Sequence, residues 1–208
     1  MHHASPGAAR RALALTLALL LALLAACGGS GSGGDTNESR YDGPVSADSA
    51  VEVAEEFDPA EPGAVLALNE VIAAGSEEAV ADLLSLLDDE DPNRQWAGLY
   101  MALLLAESDE EIELLRPMLS HDEPVFRAMA AGTLAGFGEA DALPVLIEAL
   151  SSAAELPYSD PPRPLATYAQ AALESLTGES FADASGWESW WQDVEGDISW
   201  DGERYVAP

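Results

Sequence analysis

The chain has 208 residues, 48% of them apolar, enough for one domain with appendages. Its 38 acidic residues stand against 8 basic ones, all arginine, and a surface of that sign repels phosphate backbones and argues against nucleic-acid binding. A single cysteine excludes an internal disulfide and any cysteine-based metal cluster.

In chain order, the first expected element is an export leader. Arg10 and Arg11 form a positive start, and Ala12 to Ala25 form a Leu/Ala run. The run falls short of the roughly 18 apolar residues that a membrane-spanning helix needs, but it has the length of a signal peptide. It ends at Leu24-Ala25-Ala26-Cys27, followed by Gly28-Gly29-Ser30. Those residues resemble the lipobox of bacterial lipoproteins. The resemblance implies that Cys27 receives a diacylglyceryl group and becomes the first residue after cleavage. Several acyl chains hold a protein on its membrane where one alone is marginal. Arg10-Arg11 also fits twin-arginine export, whereas the Leu-rich run favours the general secretory route. Cleavage before Cys27 removes two arginines and no acid, leaving six arginines against 38 acids, a formal balance of −32.

Gly28 to Arg40 is rich in Gly and Ser and reads as a flexible tether, continuing to about Ala60. Such a tether spans on the order of 30 Å. Within it, Ser49 to Phe57 has the pattern of a short acidic helix stopped by Asp58-Pro59.

From Gly63 the periodicity becomes helical, with no convincing strand. An apolar triplet spaced i, i+3, i+7 recurs as Val80, Leu83, Leu87, then Ile112, Leu115, Leu119, then Leu143, Leu146, Leu150. Each triplet falls on one helical face, and sets spaced about 32 residues apart imply stacked supersecondary units. A partner helix rich in small residues is expected before each triplet, as at Ala130, Leu134 and Phe137, with Gly98, Ala102 and Leu105 falling 32 residues before them. A third copy follows at Ala169, Leu173 and Leu176, after a proline-rich insertion at Ser151 to Pro164. Turns are expected at Gly75-Ser76, Asp88 to Pro92, Asp122 to Pro124 and Phe137-Gly138.

The segment from Asp122 to Gly138, with Ala142 to Leu150, resembles HEAT-type repeats of the short form related to phycobilisome-lyase repeats. The resemblance runs over about residues 64 to 195. It implies an all-α fold, a short α-solenoid of three to four helix pairs, and a structural role for Arg127 beside the inter-repeat turn. Trp187, Trp190 or Trp191, and Val194 repeat the triplet spacing with indoles, as in a terminal cap covering the last apolar face. Trp200-Asp201-Gly202 marks a hairpin turn in a short tail. The expected organisation is thus a leader over 1–26, a lipidated cysteine and acidic linker over 27–60, a repeat domain over 61–196 and a tail over 197–208.

Chemistry is sparse. Beyond the leader, the lone histidine is His121, in a turn, and reads as a solvated turn residue rather than a catalytic one. Paired carboxylates are too abundant to be diagnostic. Asp89-Glu90-Asp91-Pro92-Asn93 imitates the start of a calcium loop but has Arg94 where glycine is needed and Tyr100 at the twelfth position. No constellation supports chromophore-lyase activity. The expectation is a non-enzyme with no cofactor, metal or catalytic residue and one modified site, Cys27. It would be an adaptor or scaffold held on the membrane outside the cytoplasm, with an envelope protein of basic surface as partner. The alternative is a structural or divalent-cation-binding acidic lipoprotein. The leader resembles actinobacterial ones, which places the protein on the outer face of the cytoplasmic membrane; with two membranes, an outer-membrane or periplasmic position takes its place.

Overall fold

The computed structural model describes residues 52, 54, 57, 58, 68, 69, 71, 73, 77–106, 109–157 and 161–208. The leader, Cys27, the Gly/Ser tether and the Gly75-Ser76 turn lie outside them. The described residues are mostly helical and fall into two compact units. One contains the described residues up to Leu105 together with Pro157, and the other contains Ala106–Leu156 and residues 161–208.

In the first unit, α1 (Glu77–Ser85) runs into a 3₁₀ turn, Leu86–Asp88, and α2 (Pro92–Leu105) follows. Proline suits the first helical position because its missing N–H has no intrahelical partner there. Asp91 caps α2: its Oδ1 accepts the Asn93 amide at 2.8 Å, and Asp89 Oδ1 accepts the Asp91 amide at 2.8 Å. The segment that imitates a calcium loop therefore spends two of its carboxylates on its own backbone. Every residue from Trp96 to Leu103 is buried, so α2 is enclosed on all sides rather than amphipathic. Gly98 makes that possible. A Cβ there would lie 2.6 Å from the Leu87 backbone nitrogen and 2.7 Å from the Leu86 carbonyl carbon, which only glycine avoids. Of the helix expected at Ser49 to Phe57, Glu52 and Ala54 are helical and Phe57 and Asp58 are not. Phe57, in the stretch assigned to the tether, is buried with its ring centroid 5.5 Å from that of Tyr100.

The second unit contains α3 (Asp109–Leu115), α4 (Pro124–Gly136), α5 (Leu143–Ala149), α6 (Leu165–Thr177) and α7 (Ala184–Val194). Buried α4 packs against α5 and α6, and α5 also packs against α6 and α7. The apolar triplets locate this core in part. Ile112, Leu115, Leu143 and Leu146 are buried, but Leu119 and Leu150 are only half-buried. Pro117 ends α3 and opens a 3₁₀ turn, Pro117–Ser120, that carries Leu119, while Leu150 sits at the C-cap of α5. In the first unit the order is reversed: Leu87 lies in a 3₁₀ turn yet is buried, Leu83 is buried, and Val80 is half-buried. Gly138 ends α4 as expected: its φ of 93° lies in the left-handed region, and Trp200 fills the space a side chain would need.

Two antiparallel strand pairs, each two residues long, correct the expectation of no strand. In the proline-rich insertion β1 (Glu155–Leu156) pairs with β2 (Arg163–Pro164). In the tail β3 (Ser199–Trp200) pairs with β4 (Tyr205–Val206) around the expected turn, where Asp201 Oδ1 accepts the Glu203 and Arg204 amides at 2.8 and 2.9 Å. This hairpin is docked. The buried Tyr205 donates its hydroxyl to the Ala135 carbonyl at 2.9 Å, an oxygen near the end of α4 that also accepts the Gly138 amide at 3.0 Å.

Candidate functional site

The tryptophan cap follows from α7. Asp183 caps the helix by accepting the Gly186 amide at 3.0 Å. Trp187 then inserts fully into the core, its Nε1 donating to Gln170 Oε1 at 3.0 Å and its ring edge-on to Phe181. Trp190 and Trp191, by contrast, stay half-buried.

Arg127 holds the turn before α4. Its Nη1 donates to the carbonyls of His121 and Asp122 at 2.7 and 3.1 Å, and its Nη2 meets Glu148 Oε1 at 2.9 Å. The arginine is structural, as the resemblance implies, but it binds backbone oxygens of the turn rather than its carboxylates. His121 is half-buried in that turn and not simply solvated. Its Nδ1 accepts the Glu123 amide at 3.0 Å, and its ring stacks on Phe126 at 4.6 Å. With Nδ1 occupied as an acceptor, the neutral ring carries its proton on Nε2. That is a turn-stabilising role.

Three hollows adjoin one another along α5. One, of about 960 Å³, lies between the end of α5, α6 and the α6–α7 turn, with Gln170, Glu174 and Asp183 in its lining. A second, of about 210 Å³, lies beside Arg127 and Glu148, and a third, of about 280 Å³, beside Glu148, Glu188 and Trp191. Ser151 borders all three. Among the described residues lining this groove, four carboxylates (Glu148, Glu174, Asp183 and Glu188) accompany one guanidinium, Arg127. Hydrogen bonds from Ser180 and Gln170, both 2.7 Å, hold the Glu174 carboxyl below the usual carboxylate range, so it stays ionised.

What the groove can do chemically is bind cationic groups. Among the described residues no three His, Cys, Asp or Glu side chains are placed to hold a metal ion, and no helix is long and apolar enough to cross a membrane. Of the residues singled out in the sequence, the structure places Arg127 and Trp191 on the groove; Trp187 belongs to the core, and Cys27 is outside the described residues. Glu148 comes from α5, Glu174 from α6, and Asp183 and Glu188 from the start of α7, so packing of three helices brings them together. No family model, curated protein or solved structure matches the chain.

Proposed function

We propose that the protein is a lipid-anchored adaptor of the cell envelope, tethered through Cys27, whose short HEAT-like solenoid holds another envelope protein by a basic surface. The observation that carries this reading is the set of three hollows meeting at Ser151 along α5, where carboxylates outnumber guanidinium groups four to one among the described lining residues. The repeat reading has its own support. Within their own units, α1 packs against the buried, small-residue helix α2 and α5 against the buried, small-residue helix α4, and α2 and α4 begin 32 residues apart, at Pro92 and Pro124. Arrays of this kind present an extended surface instead of a deep pocket. The tether and anchor raise the effective concentration of the domain toward neighbours on the same membrane.

In-cell crosslinking followed by mass spectrometry tests the proposal. Wild-type chain is expected to capture one or a few envelope proteins, with capture falling as salt rises. Cys27→Ser is expected to leave the membrane fraction after a high-salt wash, or to remain an uncleaved precursor, and to lose that capture. Capture no greater than that of an unrelated acidic lipoprotein at low salt overturns the adaptor reading in favour of a structural or cation-binding role. Full membrane retention of correctly cleaved Cys27→Ser overturns the anchor.

A further inference from the structure

Resting on the adaptor reading, we infer that the smaller hollow between α5 and α7 is a slot for one arginine side chain of the partner protein. Pro144, Ile147, Glu148, Ser151, Glu188, Trp191 and Gln192 line it, and its volume is about 280 Å³. That volume lies just below the roughly 300–1,000 Å³ of typical small-molecule sites, a scale suited to a single side chain. Its lining combines apolar and aromatic residues (Pro144, Ile147, Trp191) with two carboxylates (Glu148, Glu188) and two neutral polar side chains. An occupant must therefore offer a flat or aliphatic body and a positive end. Arginine meets both demands, because its guanidinium stacks on indole rings and donates in a fork to carboxylates, whereas an ammonium is a compact point charge.

The protein already shows this chemistry next door. In the adjoining hollow the chain's own Arg127 places Nη2 on Glu148 Oε1 at 2.9 Å. That contact uses one oxygen of a carboxylate that accepts about four hydrogen bonds, so Glu148 keeps capacity for a second guanidinium. Glu148 is also well exposed, at 67% of its side-chain surface, where Arg127 is at 22%. The partner's arginine thus lies beside an existing guanidinium–carboxylate pair, with Glu188 supplying the second negative charge and Trp191 the stacking face. The half-burial of Trp191, unlike the complete burial of Trp187, leaves part of its surface open for that contact.

The test uses the whole chain in neutral detergent, with nitrogen-15 in its five tryptophan indoles, and Nα-acetyl-arginine methylamide as probe. Nα-acetyl-norleucine methylamide and sodium chloride at matched ionic strength are the controls. Saturable movement of the Trp191 indole signal by the arginine probe alone is expected, with the Trp187 signal fixed. Glu188→Gln, an isosteric change at an exposed site, is expected to weaken binding roughly tenfold, the loss of one charge-assisted contact. Calorimetry on Trp191→Leu should show a comparable loss. Equal movement by the norleucine probe or by salt, no movement up to solubility, or undiminished binding in Glu188→Gln each overturns the slot. Failure here is separable from failure of the adaptor. Partner capture that survives Trp191→Leu removes the slot and leaves the adaptor standing, whereas probe binding without any captured partner does the reverse.

Discussion

Leu146→Asp is expected to unfold the second unit outright. Leu146 is fully buried at the centre of α5, the helix on which α4, α6 and α7 all pack. A carboxylate there loses its hydration without gaining a partner, at a cost of several kcal/mol, and the cavity around the shorter side chain adds to it. Whole-domain stability is only about 5–15 kcal/mol, so little margin is left. Circular dichroism should show most helical signal of residues 106–208 lost at 25 °C. An unchanged spectrum and melting temperature would mean that Leu146 is not in the core and that the triplet register is wrong. Leu146→Met, nearly equal in volume, is expected to cost less than about 1.5 kcal/mol and serves as the folded control.

Trp187→Ala has the second largest expected effect. Truncating a fully buried aromatic typically costs about 3–5 kcal/mol. Here it also strips Gln170 Oε1 of its donor and removes the ring against which Phe181 sits edge-on at 4.9 Å. At about 4–8 °C per kcal/mol for a domain near 100 residues, the melting temperature should fall by on the order of 15 °C or more. Trp187→Phe retains much of the burial and is expected to fall between the two. If both variants melt with the wild type, the indole does not cap the core.

Those two residues also show what was legible beforehand. Leu146 and Trp187 were readable because core positions on a helix repeat with its period, and prolines at the first position mark where α2 and α4 start. The ends of the periodic face were not readable. Leu119 and Leu87 both sit in 3₁₀ turns that follow a helix, yet Leu119 is half-buried and Leu87 buried, a difference that i, i+3, i+7 spacing does not register. Strands of two residues, such as Glu155–Leu156, are too short to show alternation. Asp89 and Asp91 looked like ion ligands because capping and calcium binding both call for short carboxylates near a helix start; the bonds to the Asp91 and Asn93 amides settle their present use. The groove was illegible for a different reason. In a chain with 38 acids nothing marks Glu148, Glu174, Asp183 and Glu188 as neighbours until α5, α6 and α7 are packed.

Tyr205, which fastens the tail to Ala135, has a consequence beyond packing. Desolvation by burial raises its phenol well above the ordinary value near 10, with Glu139 and Asp141 adding to the shift, and burial does the same to Tyr168 in α6. An unfolded chain would surrender both protons near pH 10, while the folded chain must keep them. The sign is therefore fixed: the stability tied to both phenols is fully present below about pH 10 and is lost as alkalinity rises past it. Two weak acids locked in neutral form make this very acidic protein vulnerable to base. Its second unit should come apart in alkali before its peptide bonds or arginines are touched, with the tyrosinate absorbance appearing together with the loss of helix rather than ahead of it.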